Sequence, residues 1–117
     1  MSKTEAVPAL WFIYMLECSN GAFYTGITVD LRRRYRQHQG GKGGARFTRA
    51  FKPLRIACCW KIAGPRGEAQ RLEYALKSLD RSVKEILVDD PKKLKTFLKE
   101  IPEAKKLRVA RVPKVEE

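Results

Sequence analysis

The sequence predicts one small α/β domain of the α+β kind, a three-stranded, mainly antiparallel sheet flanked by helices. Six apolar residues run unbroken from Trp11 to Leu16, three of them aromatic, as in a central strand buried on both faces. Ser19-Asn20-Gly21 follows, and a second strand-like stretch, Phe23 to Thr28, comes directly after, which is the pattern of a hairpin. A third run, Leu54 to Ile62, alternates, and the segments on either side of it space their apolar residues at helical intervals. A chain of 117 residues has room for one core of this kind and not for two.

Taken in order, Gly26 inside the second strand marks a bulge or a close backbone approach. Thr28 or Asp30 can cap a helix from about Leu31 to Gln39, which Gly40-Gly41 and Gly43-Gly44 stop. Leu31, Arg34, Tyr35 and His38 share one face of that helix, and Arg32, Arg33 and Arg36 lie on the others. Residues 42 to 52 are glycine-rich, then basic and aromatic, and read as a surface loop or a short helical turn. Leu54, Ile56, Cys58, Trp60 and Ile62 predict a third strand with one face on the core, ended by Gly64-Pro65. Gly67 to Leu79 predicts a packing helix with Ala69, Leu72, Ala75, Leu76 and Leu79 on its stripe and Glu73 at the stripe's edge. Ser82 to Val88 predicts a short helix, and Pro91 can start another through Ile101 with Leu94, Phe97, Leu98 and Ile101 inward. From Pro102 the periodicity is lost. The expected organisation is therefore an N-terminal extension over 1–10, the domain over 11–101, and a basic, flexible tail over 102–117.

Twenty-five Lys and Arg against 13 Asp and Glu give a formal net charge of +12, which bears on partners rather than on fold. The excess is local. From Asp30 to Lys61 there are ten Lys or Arg and a single acid, Asp30. An Arg-rich segment interleaved with Tyr35, Phe47 and Phe51 suits phosphate recognition, so nucleic acid is the expected partner. Arg32, Arg33, Arg36, Lys42, Arg46 and Arg49 are the candidate contacts. The longest apolar run has the length of a strand and not of a membrane span, and the N-terminus lacks the pattern of a signal peptide, so the protein is expected in the cytoplasm. Cys18, Cys58 and Cys59 make no CxxC spacing and are expected to be buried thiols, with neither a disulfide framework nor zinc.

Singly, the chemistry-bearing residues read as ordinary structure. Tyr14 and Tyr24 suit core aromatics, His38 a structural histidine, Arg34 a surface phosphate contact and Glu73 a helix-edge charge. Jointly they form the series Phe12-Ile13-Tyr14, Tyr24-Thr25-Gly26, then Arg34, then His38 one helical turn later, then Glu73 within Ala69-Gln-Arg-Leu-Glu-Tyr-Ala75. That series resembles the GIY-YIG nuclease superfamily, in particular its small stand-alone bacterial members, over roughly Trp11 to Val88. Phe12 stands where the family name has its first glycine, Thr25 where it has its second isoleucine, and no Asn follows Asn20.

The resemblance implies a metal-dependent endonuclease acting on DNA, in DNA repair or processing, with Glu73 anchoring Mg²⁺ or Mn²⁺. The residue types suit such chemistry. A single carboxylate can hold Mg²⁺ when waters and substrate phosphate supply the other oxygens. Arg34 can hydrogen-bond two phosphate oxygens at once. Tyr14 and Tyr24 are both candidates to steer or deprotonate the attacking water, and His38 to orient a tyrosine or share its proton. A non-catalytic nucleic-acid-binding module on the same fold, and an adaptor for a protein or ribosomal surface, are the competing readings of the charge.

Overall fold

The computed structural model describes residues 9–40 and 43–114. Along the chain lie β1 (Leu10–Cys18), β2 (Phe23–Thr28), α1 (Leu31–Gly40), α2 (Arg46–Ala50), β3 (Pro53–Ala63), α3 (Arg66–Lys77), α4 (Arg81–Asp89), α5 (Leu94–Phe97) and β4 (Arg108–Ala110). Short 3₁₀ turns occupy Pro91–Lys93 and Pro102–Lys106. The strands form one antiparallel sheet in the order β2-β1-β3-β4.

The hairpin forms as expected: the backbone N–H of Cys18 donates to Ala22 O at 2.9 Å, and the Asn20 side-chain oxygen accepts from Ala22 N at 3.1 Å. Asp30 caps α1, its carboxylate accepting from Arg33 N at 3.2 Å while its carbonyl accepts the first helical bond from Arg34 N. Thr28 supports the cap by accepting from Asp30 N at 3.1 Å.

Helices cover both faces of the sheet. Ile13, Met15, Cys58, Trp60 and Ile62 pack with Ala69, Leu72 and Leu76 of α3, Leu87 of α4, and Leu94 and Leu98 around α5. On the opposite face Tyr14, Leu16, Cys18, Ile56 and Cys59 pack with Leu31 and Tyr35 of α1, with Phe12, Tyr24 and Phe47 partly buried against them. Thr25 is buried, and its hydroxyl has no partner among the described residues. The register of β3 against β1 slips between Met15 and Leu16, so that Met15 faces Cys58 and Leu16 faces Ile56. Ala57 is the extra residue of this bulge. It breaks the alternation expected of β3: Ile56 joins the α1 face, Cys58, Trp60 and Ile62 join the α3 face, and Leu54 is 62% exposed.

The sheet has four strands where three were expected. β4 lies within the segment 102–117 expected to be a loose tail, and it pairs Ala110 with Cys59, Val109 with Trp60 and Arg108 with Lys61. Ala104 and Leu107 are buried in the Trp60 cluster. A strand of three residues is too short to show a period, and its anchoring apolar residues are scattered among cations. The expected helix from Pro91 to Ile101 also differs, breaking into a 3₁₀ turn and the single turn of α5. Leu94 and Leu98 are buried one helical turn apart, whereas Phe97 is exposed.

All three cysteines are buried free thiols. Burial pushes Cys59 up to about 11 and Cys58, next to it, up to about 12, so both stay protonated at neutral pH.

Because Leu107 is almost wholly buried beneath Trp60, Leu107→Ala should cost about 2–5 kcal/mol of stability, as for a core leucine. A urea unfolding curve reads this directly. A loss within about 0.5 kcal/mol, the range of a surface change, would mean that this segment is not part of the core.

Candidate active site

Tyr14 stands in mid-β1 directly across from Gly26 of β2. A Cβ at position 26 would come within 2.7 Å of the Tyr14 ring carbon that bears the hydroxyl, and closer still to the hydroxyl itself. The close approach expected at Gly26 is thus the passage of the Tyr14 ring across the β2 backbone.

The Tyr14 hydroxyl meets His38 Nε2 at 2.8 Å. The other ring nitrogen, Nδ1, lies 2.7 Å from Thr48 Oγ1 of α2, and the Thr48 hydroxyl donates to Ala45 O at 3.0 Å. Ala45 O can only accept, and this sets the direction of every bond before it. Thr48 gives its hydrogen to Ala45, so its oxygen accepts from Nδ1–H of His38. Nε2 is then the bare nitrogen and accepts from the Tyr14 O–H. Tyr14, His38 and Thr48 are buried, His38 completely (0% exposed). Gly44 lets the loop before α2 lie against α1, since a Cβ there would sit 2.9 Å from Gln37 O and 3.1 Å from His38 Cα.

Tyr24 is half-buried and packs its ring 5.1 Å from that of His38 and 6.5 Å from that of Tyr14, and stacks on Phe47 at 6.1 Å. Arg34 lies one turn before His38. Its Nη1 donates to Gln37 Oε1 at 2.8 Å and to Gly43 O at 2.7 Å. Anchorage through one nitrogen leaves other donors of the fork for a phosphate. Glu73, on α3, has a side chain 19% exposed and pairs with Lys77 Nζ at 3.2 Å, one turn on.

Electrostatics tie these groups together. Burial pushes the Tyr14 phenol well above its usual range, the neighbouring Tyr24 and the Glu73 carboxylate add to the rise, and the Arg34 guanidinium opposes it. Burial, and then the charge of Arg34, hold His38 down to about 4. At neutral pH the phenol keeps its proton and the imidazole is uncharged.

No group of three His, Cys, Asp or Glu that could hold a metal ion occurs among the described residues. Glu73 is instead a lone, partly exposed carboxylate. Such a donor fits Mg²⁺ or Mn²⁺, hard cations that take oxygen ligands and that Mg²⁺-type sites hold by one or two carboxylates together with waters and substrate phosphates. Lys77 competes for the same oxygens.

Residues 10–86 match the family described as the GIY-YIG catalytic domain. The chain belongs to the GIY-YIG family. The match spans Tyr14, Tyr24, Arg34, His38 and Glu73, and it places the chain among nuclease-type hydrolases whose substrate is nucleic acid. A UPF0213 protein of Vibrio cholerae is 41% identical over 88 residues, covering 75% of this chain and 86% of the relative. A UPF0213 protein of Serratia proteamaculans is 47% identical over 88 residues, covering 75% and 83%. The solution NMR structure of a UPF0213 protein from Bacillus halodurans is 40% identical, covers 76% of this chain and 96% of that one, and has a TM-score of 0.44.

The structure thus brings Tyr14, Tyr24 and His38 into contact and sets Arg34 and Glu73 within electrostatic reach of Tyr14. Sequence reasoning missed Thr48, because a threonine in a short basic segment carries no periodicity; only its place in the Phe47-Thr48-Arg49 run hinted at a helical turn. Among the expected nucleic-acid contacts, Arg32, Arg33, Arg36, Arg46 and Arg49 are exposed, although Arg32 also donates to Lys114 O at 2.7 Å. Lys42 lies outside the described residues. No helix among the described residues is long and apolar enough to cross a membrane.

The depressed His38 value has a consequence for stability. The unfolded chain takes up a proton on this histidine near pH 6.5, whereas the folded one resists until about pH 4. Its contribution is therefore fully present above pH 6.5 and is lost as pH falls through that window, by about 3 kcal/mol in all. The parent should lose more stability than His38→Gln between these two pH values. Parallel losses would show that His38 is not held neutral.

Proposed function

We propose that this protein is a metal-dependent endonuclease that hydrolyses phosphodiester bonds of DNA, in DNA repair or processing. The observation that supports the reading most is the closed, uncharged chain Tyr14–His38–Thr48 beside Arg34 and Glu73. A module that only grips phosphates has no use for a carboxylate near them, nor for a phenol aligned on a neutral imidazole.

In this mechanism Tyr14 is the group that meets the attacking water. Its O–H is directed at His38 Nε2, so its oxygen presents lone pairs to the site and accepts a hydrogen bond from the water. As the water attacks phosphorus, Tyr14 takes the water's proton and passes its own to Nε2, and the P–O bond opposite the new one breaks. Thr48 keeps Nε2 bare by accepting from Nδ1–H. Arg34 holds two non-bridging oxygens of the scissile phosphate. The phosphate also offsets the Arg34 charge, which depresses His38, so substrate binding makes the imidazole a better proton acceptor. Tyr24 walls the site against His38. Bound at Glu73, Mg²⁺ supplies Lewis-acid stabilisation of the charge that develops on the phosphate and the leaving oxygen.

Glu73→Gln keeps the shape of the side chain and removes its charge, so it should abolish Mg²⁺-dependent cleavage of DNA while leaving the fold and DNA binding intact. Arg34→Lys should stay about 10² to 10³ below the parent in rate, as for loss of one preorganised donor, because an ammonium cannot span two oxygens. A gel assay of DNA cleavage with both variants tests this. Cutting by Glu73→Gln at the parent rate would remove the carboxylate from the mechanism, and a parent that binds but never cuts would leave a binding module.

A further inference from the structure

A cleft of about 550 Å³ opens at the β3–β4 edge, with Trp60 in its floor, Val109 on its wall, and Lys61, Lys92, Lys95 and Arg108 around it. No acidic side chain lines it. Five acids elsewhere pair with other cations: Glu17 with Arg55, Glu68 with Lys106, Glu73 with Lys77, Glu85 with Arg81 and Glu103 with Arg71. Among the described residues, the four cations of the cleft make no ion pair or side-chain hydrogen bond with protein groups. Four like charges gathered in a cleft with no acid in its lining repel one another, and that cost is offset when anions enter.

The arrangement is elongated. A second cleft of about 300 Å³ adjoins the first, sharing Lys61 and Arg108 and adding Lys106. Lys61 and Arg108 are partners across β3 and β4, and Lys61 also faces Phe12 of β1. Phe12 lies two residues from Tyr14, so this rung stands on the sheet face that carries Tyr14, whereas Trp60 and its partner Val109 stand on the other; the cleft is lined from both faces at the β4 edge. At about 4.8 Å between strands, β4 is roughly 10 Å from β1, a distance that a few nucleotides span. Val109, 43% exposed, adds an apolar wall beside the cations.

We propose that this cleft binds a single-stranded segment of nucleic acid, whose phosphates follow Lys61 and Arg108 to Lys92 and Lys95 while an unpaired base rests against Val109. The proposal builds on the reading of the chain as a nuclease and adds a binding site distinct from the tyrosine site. A row of cations across two adjoining clefts suits successive phosphates of a strand better than the compact charge of a free nucleotide. The apolar wall suits a base that is not paired in a duplex.

Trp60 reports on the site directly, because its indole N–H donates to Pro91 O at 2.8 Å within the cleft and only Trp11 could be confused with it. The experiment titrates full-length Glu73→Gln protein with a short single-stranded oligothymidylate and follows the indole N–H resonances by NMR, with the corresponding duplex and thymidine diphosphate as separate arms. The Trp60 resonance should move with the single strand. In Glu73→Gln carrying Lys92→Ala and Lys95→Ala the shift should disappear, and the slope of log affinity against log salt should flatten by about 1.4 units, because two phosphates of the single strand are no longer neutralised. Both lysines are exposed, so an unchanged ligand-free spectrum certifies the fold of that variant. On the otherwise parental chain the double variant should raise KM and leave kcat as it was. A Trp60 resonance that ignores the strand, or that responds as strongly to the diphosphate or to the duplex, would overturn the proposal. Its failure is separable from failure of the nuclease reading: DNA cleavage with a silent Trp60 refutes the cleft alone, and a shifted Trp60 in a parent that never cuts refutes the nuclease alone.

Discussion

A phenol and an imidazole face each other at 2.8 Å inside the protein, and both are buried. Each would cost free energy to bury without a partner, and the Tyr14 O–H finds its acceptor in His38 only while Nε2 is bare. Much of the architecture serves that meeting. β2 carries a glycine where Tyr14 crosses it, α1 is capped by Asp30 so that His38 arrives on the sheet side, and α2 turns Thr48 onto the far nitrogen. Because the chain of hydrogen bonds ends on a carbonyl, which can only accept, the proton positions follow from connectivity alone.

The same connection links fold to chemistry. A charged histidine would have no bare nitrogen to accept from the Tyr14 O–H, and burial together with Arg34 one turn away keeps it neutral. An anion bound at Arg34 relaxes that restraint. The candidate site can therefore be neutral and stable when empty and more receptive to a proton when a phosphate is present.

Much of this was legible in the sequence, for identifiable reasons. β1 follows from an unbroken apolar run, β2 from the strand-like stretch after the Ser19-Asn20-Gly21 turn, α1 and α3 from helical spacing, and Tyr14, Tyr24, Arg34, His38 and Glu73 from their joint spacing. The misses share a cause: they depend on contacts between distant segments. β4 is three residues long, and Leu107 is held by Trp60 from 47 positions earlier. The bulge at Ala57 reverses the facing of half of β3 without disturbing its alternation of residue types. Thr48 matters only because the loop at Gly44 folds it back on α1. Charge shows the same limit, since the dense basic run from Asp30 to Lys61 stands out in sequence while the cleft at β4 gathers its cations from three separate segments.

The protonation pattern of His38 tests the central claim most directly. His38 is the only histidine in the chain, so a ¹⁵N spectrum of the imidazole needs no assignment. At neutral pH it should show Nδ1 protonated and Nε2 bare, and this pattern should persist well below pH 6.5, towards about 4. A proton on Nε2, or a histidine that becomes charged near pH 6.5, would contradict it, because Tyr14 would then have no acceptor for its hydrogen.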